Sequence, residues 1–251
     1  MKTADDKHFS SNLTGLQQPS VATGSALNRY RSMAVGRQGY AALLLYELVV
    51  TCVLPLPGNT GRWARRLFLR LLCRSFGREI GIGRDCTVRN PGVIEIGDRA
   101  EIGDQVSLDA KPDVDGLRVG ADVRIGDGTI CNCAGATLDI GEGTVIGAAC
   151  RVGSKLGLTV GRNCRIGQAV CISGAAHAYD RRDLPIVLQP VTCKGPTVIG
   201  DEVVIGDRAT ILDGVRIGSG VRIAADSLVI SDIPFGLTVS GVPVRISEGG
   251  R

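Results

Sequence analysis

Aliphatic side chains recur every sixth residue through most of the chain. In the stretch 160–177, VGRNCRIGQAVCISGAAH, Val160, Ile166 and Ile172 stand six residues apart, and a small residue follows each one. This spacing fits neither a 3.6-residue helix nor an alternating strand. The same frame recurs in groups of three at Ile82, Val88, Ile96, Ile102, Leu108, Val119, Ile125, Cys131, Ile140, Ile146, Val152, Ile199, Ile205, Ile211, Ile217, Ile223 and Val229. Three six-residue units therefore make one turn of the structure.

A repeat of this kind predicts an all-β fold, the parallel β-helix. Three short strands per coil would form a triangular prism, with every sixth residue pointing inward and glycine in the corner conformations that a Cβ would hinder. One coil buries too little apolar surface to be stable alone, so the coils must stack and share strand ladders. The frame breaks for longest at 178–198, and a long loop in a repeat protein is commonly functional.

The N-terminal part of the chain lacks the repeat. Residues 1–38 are polar and without apolar periodicity, which predicts a disordered or loosely attached tail. Residues 39–78 hold two apolar segments, and the first, at 41–58, is too short for a comfortable membrane span and is stopped by Pro55 and Pro57. The absence of an apolar leader at the start predicts a cytoplasmic protein.

The second segment, GRWARRLFLRLLCRSFG at 61–77, predicts a basic amphipathic helix. Its apolar side would carry Trp63, Leu67, Leu71 and Leu72, with five arginines elsewhere. Such a helix can lie on an anionic membrane surface. It can equally cap the first coil, whose strand edges and apolar core need a cover. The two interpretations are compatible.

Composition narrows the functional classes. The net charge of +4, without a basic cluster interleaved with aromatic residues, gives no reason to expect nucleic-acid binding. The nine cysteines include no CxxC pair and stand mostly at repeat positions, as small hydrophobic residues of a reducing compartment. Cys131 and Cys133 alone cannot close a zinc site, so no metal is expected.

The run of Ile-Gly-x-x-Val-x units from Ile82 to Val229, closed by LTVSGVPVRI at 237–246, resembles the hexapeptide-repeat acyltransferases. With the apolar start near 29–57, the chain is most similar to the colanic acid type and maltose O-acetyltransferase-like acetyltransferases. The resemblance implies a left-handed parallel β-helix over 79–251 with a short α-helical N-terminal extension. It also implies a homotrimer with active sites between neighbouring prisms and acetyl-CoA as the acyl donor.

His177, in the segment ISGAAHAYDRRDLP at 172–185, stands where this family places its catalytic base, at the end of a coil before a projecting loop. Imidazole titrates near neutral pH, as removal of a hydroxyl proton during acyl transfer requires. By the same resemblance, the loop would cover the acceptor. The residues expected to bind it are Tyr179, Asp180, Arg182, Asp183 and Ser154. Asp180 or Asp183 would orient His177 or an acceptor hydroxyl, or else form ordinary surface ion pairs.

The coenzyme side of the site is expected on the final coils. The resemblance implies a groove of backbone and small residues for acetyl-CoA, with a basic side chain for the coenzyme phosphates. The matching residues are Gly206, Ala224, Ala225, Ser227 and Arg245. The repeat itself also demands small residues at several of these positions.

The sequence thus predicts an acetyl-CoA-dependent O-acetyltransferase that acts on a hydroxyl of a sugar or glycan precursor in polysaccharide biosynthesis. Two positions depart from the family pattern: Ala149 replaces a frequent asparagine, and Val204 replaces a frequent tryptophan. The alternatives are an acetyltransferase for another small hydroxyl compound, such as an antibiotic, and a β-helix scaffold without catalysis. A metal hydrolyase on this fold would need several histidine ligands, and the chain has two histidines.

Overall fold

A computed structural model describes residues 25–36, 39–112, 114–173 and 175–246. The described chain begins with helices α1 (Ala26–Ala34), α2 (Tyr40–Leu48) and α3 (Gly58–Leu72), and a π-helical turn, Val49–Val53, follows α2. Short 3₁₀ helices lie at Pro91–Val93 and Ile186–Leu188. Everything after α3 is built mainly from short strands.

In chain order the strands are β1 Ser75–Phe76, β2 Gly81–Ile82, β3 Thr87–Arg89, β4 Ile94–Ile96, β5 Glu101–Ile102, β6 Ser107–Ala110, β7 Gly116–Val119, β8 Arg124–Ile125, β9 Ile130–Cys133, β10 Thr137–Ile140, β11 Val145–Ile146, β12 Arg151–Ser154, β13 Leu158–Val160, β14 Arg165–Ile166, β15 Cys171–Ile172, β16 Ala176–His177, β17 Val191–Thr192, β18 Thr197–Ile199, β19 Val204–Ile205, β20 Thr210–Ile211, β21 Arg216–Ile217, β22 Arg222–Ile223, β23 Leu228–Val229, β24 Thr238–Ser240 and β25 Arg245–Ile246.

Apart from β16 and β17, which form a two-stranded sheet of their own, these strands form the three faces of a prism. Face A has the order β1-β4-β7-β10-β13-β18-β21, and face B has β2-β5-β8-β11-β14-β19-β22-β24-β25. Face C has β3-β6-β9-β12-β15-β20-β23. Neighbouring strands within each face are parallel, except that β25 closes face B in antiparallel pairing with β24. The chain is therefore a parallel β-helix, as the six-residue spacing predicts.

The inward positions of the repeat form the core. Ile125, Ile146, Ile166 and Ile205 pair directly across successive coils of face B, and all four are buried. Cys86, Cys131, Cys150 and Cys164 are buried as well, as expected for small hydrophobic residues. Aliphatic ladders along the prism axis thus hold one coil against the next.

Glycine has the corner role that the sequence suggests, for example at Gly128 (φ 66°) and Gly143 (φ 69°), and a second role besides. Residues with side chains also occupy this conformation: among the described residues twelve have φ between 52° and 58°, Ala149 (φ 56°) and Asn163 (φ 53°) among them. At nine of these positions the amide bonds to the preceding coil, for example Asn163 N–H to the Glu142 carbonyl at 2.9 Å. The glycine of the Ile-Gly pair is needed for close stacking instead, because a Cβ on Gly141 would lie 2.5 Å from the backbone of Gly161.

The N-terminal helices contact the first coil. Helix α3 packs on it through Leu69 and Leu72, which are buried. Arg65 is only 2% exposed, and its guanidinium donates to the carbonyls of Ile82 (2.9 Å), Leu54 (3.3 Å) and Leu56 (2.5 Å). None of the helices in the described part of the chain has the length and apolar character needed to cross a bilayer.

Two expectations for this region differ from the structure. Residues 25–36, expected to be part of a loose tail, contain α1, with Ala34 and Val35 buried and the Ala34 carbonyl accepting from the Asn90 amide at 2.8 Å. A tertiary contact of this kind produces no periodic pattern of apolar residues, so the sequence does not reveal it. The rest of the predicted tail, 1–24 and 37–38, lies outside the described residues. In α3, only Leu72 of the predicted apolar side is buried.

Candidate functional site

A hairpin leaves the prism after β15 and returns at β18, where the sequence predicts a loop. Its strands β16 and β17 pair antiparallel, with His177 opposite Val191, and the Ala178 amide donates to the Pro190 carbonyl at 2.8 Å. The long interruption of the repeat is therefore a β-hairpin, and the segment between its two strands forms the tip. His177 is exposed at the start of that tip.

The ring of His177 is held by a backbone carbonyl. Its Nδ1 lies 3.0 Å from the carbonyl oxygen of Gln189. A carbonyl oxygen can only accept, so Nδ1 carries the hydrogen in this contact. In the neutral imidazole, Nε2 then has the free lone pair. The geometry thus selects the tautomer whose Nε2 can accept a proton.

Gln189 also fixes the hairpin through its side chain, which is 4% exposed. Its Nε2 donates to the carbonyls of Arg181 (2.7 Å) and Leu184 (3.0 Å), and its Oε1 accepts from the Arg181 amide at 3.2 Å. One residue therefore ties both sides of the tip together and presents the carbonyl that holds His177. The sequence does not predict a role for Gln189, because a glutamine in a polar loop carries no signal of burial.

The acidic residues of the tip do not hold His177. Asp183 forms an ion pair with Arg181, and this guanidinium lowers the pKa of the Asp183 carboxyl. Tyr179, Asp180 and Arg182 are exposed. The role of orienting the ring, expected for Asp180 or Asp183, belongs to the Gln189 carbonyl in the described chain. Contact of these side chains with an acceptor stays a prediction.

A cavity of about 270 Å³ lies over face C, at the ends of β9, β12 and β15. Its polar lining comes from Asn132, Arg151, Ser154, Lys155 and Ser173. Ser154 is nearly buried, and its Oγ has no hydrogen-bond partner in the described part of the protein. A buried hydroxyl without a partner costs about 1–3 kcal/mol, which a bound polar ligand would recover. The lining reaches Ala175, two residues before His177.

The residues expected to bind coenzyme lie elsewhere. Gly206, Ala224 and Ala225 follow face B strands at the corner that leads into face C, whereas the His177 hairpin follows face C. None of them lines the cavity described above. Within the protomer, the two predicted halves of the site therefore lie on opposite edges of one prism face.

Stacking explains one of these residues. A Cβ on Gly206 would lie 2.3 Å from the amide nitrogen of Ala225, so the backbone of the next coil requires this glycine. Ala224 and Ala225 are exposed, and so is Arg245 on β25. Ser227 is 2% exposed, and its Oγ lacks a hydrogen-bond partner in the described chain.

A larger groove of about 510 Å³ runs along face A. Three of its charged residues form ion pairs: Arg118 lies 3.0 Å from Asp139 and 3.8 Å from Glu95. It contains none of the residues predicted for the site, so the smaller cavity beside the hairpin is the better candidate. In the described ranges, no group of three or more His, Cys, Asp or Glu side chains is arranged to hold a metal ion.

Residues 196–231 match a family model described as bacterial transferase hexapeptide (six repeats). No curated protein matches the chain. Among solved structures, the polysialic acid O-acetyltransferase OatWY is similar, with 19% identity, a TM-score of 0.51, and coverage of 68% of this chain and 90% of that chain.

A serine-to-alanine variant of AntD, an N-acyltransferase from Bacillus cereus in complex with dTDP-4-amino-4,6-dideoxyglucose and coenzyme A, is also similar. It is 22% identical, with a TM-score of 0.50, and the match covers 72% of this chain and 87% of that chain. At these identities, both structures show a shared fold. The match over 196–231 identifies hexapeptide repeats in this part of the chain, and together with the shared fold it supports a left-handed parallel β-helix.

Proposed function

We propose that the protein is an O-acetyltransferase that moves an acetyl group from acetyl-CoA to a hydroxyl of a sugar or glycan precursor, with His177 as general base. The observation that carries the proposal is the bond from His177 Nδ1 to the Gln189 carbonyl, which leaves Nε2 as the acceptor. OatWY, a polysialic acid O-acetyltransferase, and AntD, seen with a sugar nucleotide and coenzyme A, support the substrate class. The likeness to the colanic acid and maltose subtypes stays a prediction.

In the proposed reaction, Nε2 of His177 takes the hydroxyl proton as the acceptor oxygen attacks the thioester carbonyl. The tetrahedral intermediate collapses, the C–S bond breaks, and the imidazolium returns the proton to the departing thiolate. The products are an acetyl ester and coenzyme A. The bond to Gln189 keeps the ring in one orientation through both proton transfers.

The polar cavity on face C suits an acceptor rich in hydroxyl groups. Asn132, Ser154 and Lys155 offer donors and acceptors on its wall, and the unpartnered Ser154 Oγ is available to a ligand hydroxyl. Tyr179, Asp180, Arg182 and Asp183 would contact the acceptor from the hairpin.

For the acyl donor, we propose Ala224, Ala225, Ser227 and Arg245, with the guanidinium meeting the coenzyme phosphates. Gly206 is assigned to coil stacking instead.

A homotrimer would complete the site, with one prism face supplying His177 and the neighbouring protomer closing the cleft. The hairpin tip supports this arrangement, because Ile186, Val187 and Leu188 are all exposed. Three consecutive uncovered apolar side chains are costly in water and suit a subunit contact. We propose that the enzyme acts in the cytoplasm, where acetyl-CoA and activated sugars are present.

The test is release of coenzyme A from acetyl-CoA against sugars, nucleotide sugars, lipid-linked saccharides and hydroxylated antibiotics. His177→Ala should lower turnover by about two to four powers of ten while acetyl-CoA binding is retained. Gln168→Ala, an exposed glutamine on the same coil, is the matched control and should keep full activity.

An unchanged rate in His177→Ala would refute the assignment of the base. Release that responds only to antibiotics would favour the alternative acceptor. Failure to bind acetyl-CoA at all would favour a scaffold without catalysis, an alternative to which Ala149 and Val204 also point.

A further inference from the structure

Helix α3 carries an apolar stripe on the side that faces away from the β-helix. Its buried positions, Gly61, Arg65, Leu69 and Leu72, define the inner face. Trp63, Leu67 and Leu71 lie on the opposite side at four-residue spacing, and they are 67%, 45% and 65% exposed. The apolar side of this amphipathic helix is therefore not the side that caps the first coil.

A row of arginines runs beside the stripe. Arg62, Arg66 and Arg70 each precede a stripe residue by one position, so the two rows follow the helix side by side. All three are exposed. No acidic side chain forms an ion pair with any of them in the described part of the chain. The guanidinium of Arg62 also lies over Gly81 of the first coil, 2.8 Å from where a Cβ of that glycine would stand. Arg66 and Arg70 are exposed next to the apolar stripe.

Helix α2, which contacts α3, adds further uncovered apolar surface. Leu44 and Leu48 are 73% and 48% exposed. Tyr40 precedes them at the same four-residue spacing and is also exposed, although the Arg31 guanidinium lies over its ring at 4.9 Å from the centroid. Such clusters of exposed apolar residues mark interaction sites with proteins or membranes.

Charge decides between these partners. Residues 25–74 contain eight arginines and one carboxylate, Glu47, a net charge of +7, whereas residues 75–251 carry 19 basic and 22 acidic residues, a net charge of −3. Glu47 itself accepts a hydrogen bond from the Tyr30 hydroxyl at 2.5 Å. A second copy of the same helices would bring like charges together, whereas an anionic surface complements them.

We propose that the outer face of α2 and α3 docks on an anionic membrane surface. Trp63, Leu67 and Leu71 enter the boundary between headgroups and acyl chains, and Arg62, Arg66 and Arg70 bind lipid phosphates. Tryptophan suits this depth, because its ring is apolar and its N–H can stay hydrated. Docking depends only on this surface, so the docking proposal is independent of the proposed acetyl transfer and is tested separately from it.

The experiment uses the full chain with vesicles of phosphatidylcholine alone or mixed with phosphatidylglycerol. We expect co-sedimentation with the mixed vesicles, loss of binding at high salt, and a blue shift of the fluorescence of Trp63, the only tryptophan. Arg62→Gln, Arg66→Gln and Arg70→Gln combined should weaken binding about 100-fold. Serine at Trp63, Leu67 and Leu71 should abolish it.

The matched control replaces Arg165, Arg216 and Arg222, three exposed arginines of the β-helix, with glutamine. It removes the same charge and should leave binding within about twofold of the parent. Equal loss in both arginine variants would overturn the proposal, and so would absence of pelleting and blue shift with mixed vesicles. A stripe variant that changes oligomeric state in the absence of vesicle binding would make the stripe a subunit contact instead.

Discussion

Replacing Gln189 with alanine should loosen the hairpin that holds His177. The change removes the three side-chain hydrogen bonds to Arg181 and Leu184. At about 1 kcal/mol each, their loss lowers the free energy of opening the tip by about 3 kcal/mol. The population of the open tip rises about 100-fold, since 1.4 kcal/mol is a factor of ten. Global unfolding breaks the same bonds, so the free energy of global unfolding should fall by up to about 3 kcal/mol as well.

Hydrogen exchange measures this opening directly. The Ala178 amide, bonded to the Pro190 carbonyl, should exchange about 100-fold faster in Gln189→Ala. Turnover should fall by about tenfold or more, with the KM for acetyl-CoA little changed, because a misplaced base slows the proton transfer rather than coenzyme binding. Gln189→Glu, which keeps the chain length but loses the amide donors, should be as impaired.

Gln168→Ala is the control for both hydrogen exchange and turnover, because that glutamine is exposed. Protection of Ala178 that is unchanged in Gln189→Ala would refute the proposed cross-link of the hairpin. Faster exchange with unchanged turnover would separate the hairpin from the chemistry and refute the positioning role of Gln189.

The remaining predictions concern the prism. Gly141→Ala should strongly lower the free energy of unfolding in urea, because the new Cβ would lie 2.5 Å from the backbone of Gly161. Gly128→Ala (φ +66°), where a Cβ would have no atom within 4 Å, should lower it by only about 1–2 kcal/mol. Equal losses of unfolding free energy in the two variants would contradict the stacking role of Gly141. Burial raises the pKa of the Cys131 thiol from 9.0 to about 12. The unfolded thiol then ionises first, so stability is full below about pH 9 and falls as the pH rises toward 12. In Cys131→Val, the urea midpoint should fall less between about pH 9 and about pH 12 than in the parent. An unchanged pH dependence of the midpoint would contradict this role of Cys131.

The fold could be predicted from the sequence because one geometric fact repeats. Every sixth side chain points into the prism, so the spacing of Val160, Ile166 and Ile172 reports the coil directly. The role of glycine was less accessible. A glycine written after an isoleucine is compatible with a left-handed corner or with close stacking, and only the distance from Gly141 to the next coil separates the two.

The candidate site was partly predictable for a similar reason. His177 stands out because it ends a coil at the longest break in the repeat. Gln189 does not stand out, since its importance comes from burial and from hydrogen bonds to backbone groups of Arg181 and Leu184, which a sequence of polar loop residues does not encode. The carboxylates Asp180 and Asp183 looked like better partners for an imidazole, but the hairpin pairing brings a carbonyl to the ring instead.

Helix α3 shows most clearly what an amphipathic pattern determines and what it leaves open. The pattern separates Trp63, Leu67 and Leu71 from the arginines, and burial by default would turn the stripe toward the protein. The segment before α3 presents the carbonyls of Leu54 and Leu56, and the first coil presents that of Ile82; these carbonyls need donors, and Arg65 supplies them. Once Arg65 faces inward, the helix period carries the stripe outward. The need to satisfy buried carbonyls thus decides the orientation of the helix. It leaves the apolar stripe facing outward beside arginines that form no ion pair with the described residues.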